Sequence, residues 1–354
     1  TMAKKFLKKG NEHRAEAATP SASRHFFGYP ITPQTEVAAY MAKRMPKIGG
    51  TYLQAESEIA AINMVLGCAS AGARAMTSSS SPGISLKGEG ISYIIGSDLP
   101  CLIVNVMRGG PGLGGIQPSQ ADYWEATKAP GHGDGQVLVF APASVQEIVN
   151  LVGKAFDLAE TYRMPAMLLA DGMLGQMMEP VEFPETEPVV HEKPWALTGT
   201  KGERKPNIVN SLYLQPKELE DTVKARFERY AVVQEKEVMI EEYQMEDAEY
   251  AVCAYGAMAR VVKSAVVKAR AEGIKVGLLR PITLWPFPTK EIASYGPKVK
   301  SMLCVEMSMG QMVEDVRLAV NGTCPVGFFG RTGGVIPSPA EVLAEIKKMA
   351  GGAN

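Results

Sequence analysis

At 354 residues the chain is too long for one small core, so two domains are the natural expectation, and 35 glycines among 46% hydrophobic residues fit an α/β protein. A formal charge of −1 argues against a dedicated nucleic-acid or membrane surface, and no apolar run reaches transmembrane length. Five scattered cysteines (Cys68, Cys101, Cys253, Cys304 and Cys324) never form CxxC, which points to reduced thiols and to no metal or iron–sulfur site on this chain.

The opening TMAKKFLKKGNEHR lacks a secretory h-region, so a cytoplasmic location is expected. Residues 1–25 are weakly patterned, with a helix interrupted near Pro20. An aromatic run from Phe26 ends in Pro30-Ile31-Thr32-Pro33, whose two prolines stiffen a loop. Thr32 or Thr35 could cap a helix over Glu36–Arg44, and Thr32 reads equally well as a hydroxyl aimed into a pocket.

Thr51–Leu53 is a short β-type run, followed by acidic residues and a long apolar segment. Ile59, Ile62, Val65 and Leu66 fall at near-helical spacing. Glu56 and Glu58 therefore sit where a strand hands over to a buried helix. An acidic first turn suits the positive helix end, which is the ordinary account of Glu56. Glu58 differs. No charge follows it until Arg74, so its carboxylate faces packed surroundings and must find a partner or take a proton.

Ala75–Thr77 reads as a strand opening into SSSSPG, a loop of hydroxyls. LIVNVM, 102–107, is a β-branched strand with Arg108 at its C-terminal end, and GGPGLGG, 109–115, follows with almost no side chains. Open α/β sheets bind ligands at the carboxyl ends of their strands. Arg108 is either paired with a surface carboxylate or set to grip a ligand carboxylate with two donors, beside a segment too bare to compete for them. GGPGLGG does not fit GxGxxG, and no Walker A lysine–serine pair exists. Gly133-Asp134-Gly135 matches the triplet that opens the thiamine-diphosphate and magnesium motif. No buried strand precedes it and Asn150 lies inside a helix, so it reads as a tight turn.

A strand at Val137–Phe140, the capping box Ser144-x-x-Glu147 heading a helix to about Tyr162, and a strand at Ala166–Ala170 complete an alternation that means a parallel sheet. From Glu179 to about Asp247 prolines and charges dominate, which reads as an extended connector with a solvated helix near Glu218–Arg229. The alternation restarts with strands near 251–256, 275–279, 302–305 and 326–329. Leu284–Pro288 is a rigid turn, and Ser338-x-x-Glu341 announces a last helix. The expected division is 1–185, a connector at 186–247, and a smaller α/β domain at 248–354.

Several blocks carry a family resemblance. YPITPQTE at 29–36, QAESEIAAINMVLGCASAGARAMTSSSSPG at 54–83 and VNVMRGGPGLGGIQPSQADYWEATK at 104–128 resemble the α subunit of 2-oxoacid:ferredoxin oxidoreductases. AYGAMARVVKSAV at 254–266, LLRPITLWPFP at 278–288 and VEMSMGQMVEDVRLAVNG at 305–322 resemble that subunit's second domain. Among its branches the type acting on 3-methyl-2-oxobutanoate and other branched 2-oxoacids looks most similar. HRAEAATPSASRHFF after GNE departs from the family's small-residue helix.

The resemblance implies a pyrimidine-binding domain of the thiamine-enzyme kind and a transketolase C-terminal-like domain. It implies thiamine diphosphate held at its pyrimidine end, with coenzyme A as co-substrate. The diphosphate and Mg2+ site would belong to a β subunit. A γ subunit and a ferredoxin-like δ subunit would complete the complex, with [4Fe-4S] clusters on partner chains and ferredoxin as acceptor. Glu58 would be catalytic, hydrogen-bonding the pyrimidine N1′, with Tyr29 and Pro30 beside the cofactor. Thr32 and Arg108 would contact the substrate. A non-oxidative thiamine-dependent transferase subunit and a non-catalytic assembly subunit remain the alternatives.

Overall fold

The computed structural model describes residues 6–18, 23–183, 189 and 191–351. The expectations at Pro20, at Pro184 and Pro188, and at the 185/186 division lie outside them. In chain order the strands are β1 (Phe6–Lys9), β2 (His25–Gly28), β3 (Thr51–Gln54), β4 (Ala75–Ser79), β5 (Leu102–Met107), β6 (Leu138–Phe140) and β7 (Ala166–Asp171). They continue as β8 (Met178–Val181), β9 (Ile240–Tyr243), β10 (Tyr250–Cys253), β11 (Val276–Pro281), β12 (Thr283–Trp285), β13 (Ser301–Glu306) and β14 (Val326–Gly330).

The larger sheet runs β12–β6–β7–β5–β4–β2–β3 and is parallel except for β12. Strands β4, β5, β6 and β7 are buried along their whole length, as a sheet with covered faces requires. The chain leaves β2 outward to β3, then returns across β2 to β4 and continues through β5 in the opposite direction. The carboxyl ends of β2 and β4 therefore flank a topological switch point, where a crevice forms.

The second sheet runs β14–β13–β10–β11–β9, parallel except for β9. Its parallel strands lie where the alternation was expected to restart, whereas β9 falls inside the stretch read as connector. At the end of β13, fully buried Glu306 accepts bonds from the amides of Gln311, Met312 and Val313 and so closes the N-terminus of the helix Met312–Val320. Burial pushes that carboxyl's pKa up, and those bonds oppose the push.

Two expectations change. Leu284–Pro288 is not only a turn: Thr283–Trp285 is β12, which crosses back to pair antiparallel with β6 and finish the first sheet. The connector helix spans Pro216–Lys236 and is not solvated all round. Its buried Arg226 donates to Asp98 and to the Gly96 carbonyl, and Tyr230 packs on Trp285. Those contacts are non-local, so local charge patterning could not show them. The departure after GNE is accommodated, because Gly10–Ala18 is helical, and buried Arg14 donates to Asn11 Oδ1 at 2.5 Å.

The two sheets are stitched by Gln120. Its Nε2 donates to the Tyr255 carbonyl at 2.9 Å, and its Oε1 accepts from the Met307 amide at 3.0 Å. Tyr123 donates to Asp315 at 2.5 Å, and Arg280 binds Glu147 through two nitrogens.

Candidate active site

Loops from four strand ends meet at the switch point. After β3, Ser57 Oγ accepts the Ala60 amide at 3.1 Å and caps the helix Glu58–Ser70, of which Glu58 is the first residue. Glu58 is 6% exposed, whereas Glu56 lies in solvent.

After β4 comes a helix that the sequence reading passed over, Ser81–Gly96. Its four glycines weaken helical propensity, which hides it from pattern reading. Packing explains two of them. A Cβ on Gly83 would stand 2.1 Å from Ser79 Oγ and 2.9 Å from Glu58 Oε1, and one on Gly90 would strike Ile62. The bare helix face thus lets Glu58 approach. One turn beyond Gly83, Lys87 is fully buried with Nζ 3.4 Å from the Glu58 carbonyl oxygen. Burial lowers its pKa to about 8, against the opposing pull of Glu58's charge.

The hydroxyl run divides between strand and helix. Ser78 donates to Gln34 Oε1 at 2.5 Å, joining β4 to the loop after β2, and Ser81 donates to Asp122 at 2.6 Å. The hydroxyls of Thr77, Ser79 and Ser80 are buried without a protein partner, as is Asn105 Oδ1. Four unmade bonds beside a buried carboxylate mark a place that expects a polar occupant.

Arg108 ends β5 and is 7% exposed. Its Nη1 donates to the Thr32 carbonyl at 2.9 Å and its Nη2 to the Leu113 carbonyl at 3.1 Å, while Nε is buried and unpaired. The glycine segment was expected to be too bare to compete for these donors; its main-chain carbonyl competes nonetheless. Thr32 and Arg108 are brought together through the Thr32 main chain, with the Thr32 side chain exposed. Neither Thr32 nor Thr35 caps the next helix, which runs Thr35–Arg44 from Gln34; the Thr35 hydroxyl donates to the Ile31 carbonyl instead. Tyr29 is half-buried and Pro30 exposed at the end of β2, and the Tyr29 carbonyl accepts from Gln34 Nε2.

A cleft of about 680 Å³ opens beside Gly109–Gly112 and is also lined by Ser81, Asp122 and, from the second half, Met309 and Gln311. Asp122 accepts from Ser81 and Asn105, and burial raises its pKa. Glu125, on the same wall, accepts from Ser85 at 2.6 Å, and burial carries its pKa to about 7. Neither acid was singled out from the sequence, because their surroundings come from distant strands. Gly131–Gly135 is a bend with Asp134 exposed. Among the described residues no group of three His, Cys, Asp or Glu side chains is placed to hold a metal ion.

Two sequence profiles match the chain in tandem. One, described as pyruvate flavodoxin/ferredoxin oxidoreductase, thiamine diP-binding, matches residues 16–251. The other, pyruvate:ferredoxin oxidoreductase core domain II, matches residues 248–342. The chain belongs to the pyruvate flavodoxin/ferredoxin oxidoreductase family. Within that family it is 48% identical over 349 residues to ketoisovalerate oxidoreductase subunit VorB of Methanothermobacter marburgensis, covering 98% of each chain. A solved 2-oxoglutarate:ferredoxin oxidoreductase from Magnetococcus marinus, with 2-oxoglutarate, coenzyme A and succinyl-CoA bound, superposes with a TM-score of 0.87 at 27% identity. That match covers 97% of this chain, which spans 65% of the longer neighbour. A split-gene transketolase, an inactive β4 tetramer, shares the fold at a TM-score of 0.60 and 13% identity, over 96% of this chain and 95% of that one. The α/β architecture of two thiamine-enzyme-like modules expected from the family's blocks is thus the one observed.

The family implies thiamine diphosphate, and the residues present fit its pyrimidine end. Glu58 offers a carboxyl group at a helix N-terminus, the Gly83 face leaves it room, and the unpaired Ser79 hydroxyl stands alongside. Helix Ser81–Gly96, with Lys87, is the element packed beside Glu58 that sequence reasoning missed. The one available signal was a lysine at i+4 from Gly83 inside an otherwise small and apolar run.

Proposed function

We propose that this chain is the catalytic α subunit of a coenzyme A-dependent 2-oxoacid:ferredoxin oxidoreductase, converting a 2-oxoacid to acyl-CoA and carbon dioxide as ferredoxin is reduced. The observation that carries the reading is Glu58: a buried carboxylate on the first turn of a helix, at the sheet's switch point, with a glycine face cleared against it. The name of the 48%-identical relative supports 3-methyl-2-oxobutanoate or a related branched 2-oxoacid as substrate.

Thiamine diphosphate, when bound, supplies the nucleophilic carbon and the electron sink for loss of carbon dioxide. Glu58 would hold the pyrimidine N1′ by a hydrogen bond and would exchange a proton with it. Arg108, fixed by the Thr32 and Leu113 carbonyls, presents its unpaired Nε–H to the substrate carboxylate. Tyr29, Pro30 and the Thr32 hydroxyl edge the same crevice from the end of β2. The low polarity of the surrounding core strengthens each of these bonds.

The division of labour follows the domain reading: a pyrimidine-binding domain over 1–185, a connector at 186–247, and a transketolase C-terminal-like domain over 248–354. A β subunit brings the diphosphate and Mg2+ site, and γ and ferredoxin-like δ subunits bring the [4Fe-4S] path to ferredoxin. The relatives' description as subunits supports an assembly of separate chains. Copurification tests this. Partner chains bearing iron, with viologen reduction driven by branched 2-oxoacids, are expected. Stoichiometric iron on this chain purified alone, or carbon–carbon transfer without electron release, would overturn it.

A further inference from the structure

Asp122 and Ser81 form a short chain of hydrogen bonds behind Arg108. The Ser81 hydroxyl has one proton and meets two oxygens, Asp122 Oδ2 at 2.6 Å and the Arg108 carbonyl at 3.3 Å. The shorter bond takes the proton. A lone pair of Ser81 Oγ is then left for the Arg108 amide, which donates to it at 3.0 Å. Asn105 Nδ2 donates to the same Asp122 oxygen at 2.9 Å and holds it in place. All four residues are buried.

Strand β4 pairs with β5 as far as Ser79 and Asn105, then turns into helix Ser81–Gly96. Arg108 lies beyond the reach of β4, and the Ser81 hydroxyl takes its amide instead. The next amide, of Gly109, donates to the Gln117 carbonyl at 3.0 Å, and Arg108 bridges Pro118. Asp122 follows on that same segment, which Gln120 pins to the second sheet at Tyr255 and Met307. The guanidinium is fixed at its tip by the Thr32 and Leu113 carbonyls. Its root is fixed by Ser81, and a side chain held at both ends leaves Nε little room to wander.

We propose that Asp122 is a positioning residue for Arg108: by claiming the Ser81 proton it makes that hydroxyl an acceptor, and so sets where Nε meets the substrate carboxylate. The inference rests on the reading of Arg108 as that carboxylate's partner. Without Asp122, the Ser81 proton turns to the Arg108 carbonyl, the bond from the Arg108 amide loosens, and the guanidinium is held at its tip alone.

The test uses the full complex carrying Asp122→Ala, Ser81→Ala or Asp122→Asn, in steady-state viologen reduction driven by branched 2-oxoacids. Asp122→Ala and Ser81→Ala should each raise KM about threefold to tenfold, as loss of one hydrogen bond allows, with kcat little changed. The double variant should raise it no further, because both act through one bond. Asp122→Asn offers a carbonyl oxygen to the same two donors and should bring KM back toward wild type. Thiamine diphosphate affinity, by calorimetry, should stay as in wild type throughout. A structural role alone predicts a smaller folded fraction, so that kcat per chain falls at unchanged KM, and that outcome overturns the inference. Additive effects of the two alanine variants, or Asp122→Asn as impaired as Asp122→Ala, overturn it too. Should Asp122→Ala not fold, a raised KM in Ser81→Ala beside a near-normal one in Asp122→Asn supports the inference, and an unchanged KM in Ser81→Ala overturns it. If Arg108→Lys leaves KM unchanged, the reading of Arg108 fails first and the inference falls with it. If Arg108→Lys raises KM while both alanine variants leave it alone, only the role of Asp122 fails.

Discussion

The guanidinium of Arg108 donates to the main-chain carbonyl of Thr32 at 2.9 Å, tying the end of β5 to the loop after β2 across the intervening β4. Two positions 76 residues apart thereby become one wall of the crevice. Nη1 and Nη2 each give one N–H to a carbonyl, while Nε is buried without a protein partner and would be a donor for a ligand. Every 2-oxoacid shares the carboxylate this donor suits, so Arg108 should set affinity for the class without choosing among its members. Lysine keeps the charge and loses the planar fork. Arg108→Lys should raise KM for all accepted 2-oxoacids by similar factors, about tenfold to a hundredfold for a bond worth about 1.5–3 kcal/mol. Steady-state kinetics over linear and branched 2-oxoacids checks this. Loss of thiamine diphosphate affinity with KM unchanged would move Arg108 out of the substrate site.

Glu58→Gln should preserve the fold and slow deprotonation of the cofactor carbon by about 10²–10⁴-fold, since an amide cannot hold the shared proton as a carboxylate does. Glu56→Gln should do little, because Glu56 is exposed and two residues short of the helix's inward face. The measurement is hydrogen exchange at the cofactor carbon in the assembled complex.

Gly83→Ala separates packing from propensity. Alanine favours a helix by about 1 kcal/mol over glycine, so a free helix would gain. Here the new Cβ would stand 2.1 Å from Ser79 Oγ and 2.9 Å from Glu58 Oε1, and Glu58 has to move. Thiamine diphosphate affinity, by calorimetry on the complex, should fall at least about tenfold, the equivalent of 1.4 kcal/mol. Unchanged affinity would mean the Gly83 face is not what admits the cofactor.

Lys87 should leave a mark on stability. Burial lowers its pKa from 10.5 to about 8, so between those values the unfolded chain binds more protons than the folded one. Stability then rises with pH across that window, and it is lower below about pH 8, where the buried amine must carry its proton. The difference is on the order of 3 kcal/mol. Lys87→Met should therefore raise the melting temperature of the cofactor-free protein at pH 7 and flatten its rise between pH 8 and 10. A lower melting temperature in Lys87→Met would show that the ammonium stabilises the fold.

Much of this protein was legible in its sequence because the signals are local. Strand–helix alternation comes from runs such as LIVNVM, which are apolar on both faces but for Asn105 and fit a covered parallel sheet. Ser144-x-x-Glu147 is seen as written, with Ser144 Oγ accepting the Glu147 amide and Glu147 reaching the Ala143 amide. Burial of Glu58 followed from the uncharged stretch behind it, whereas Glu56, read as a first-turn acid, lies ahead of the helix and is exposed. Family blocks supplied the other candidate residues, Tyr29, Pro30, Thr32 and Arg108.

What the sequence could not determine depended on partners far away in the chain. Strand β12 forms because Thr283–Trp285 finds a free edge on β6, and nothing in LWPFP announces an edge 145 residues earlier. Glycines made helix Ser81–Gly96 look like loop, since propensity counts what a residue contributes alone, whereas Gly83 and Gly90 are there for what they let approach. The commitments of Arg108 to two carbonyls, and the meeting of Lys87 with Glu58, exist only once β4 lies between β2 and β5. Burial turns a surface-type residue into a charge with one partner, and burial is a property of the packed chain.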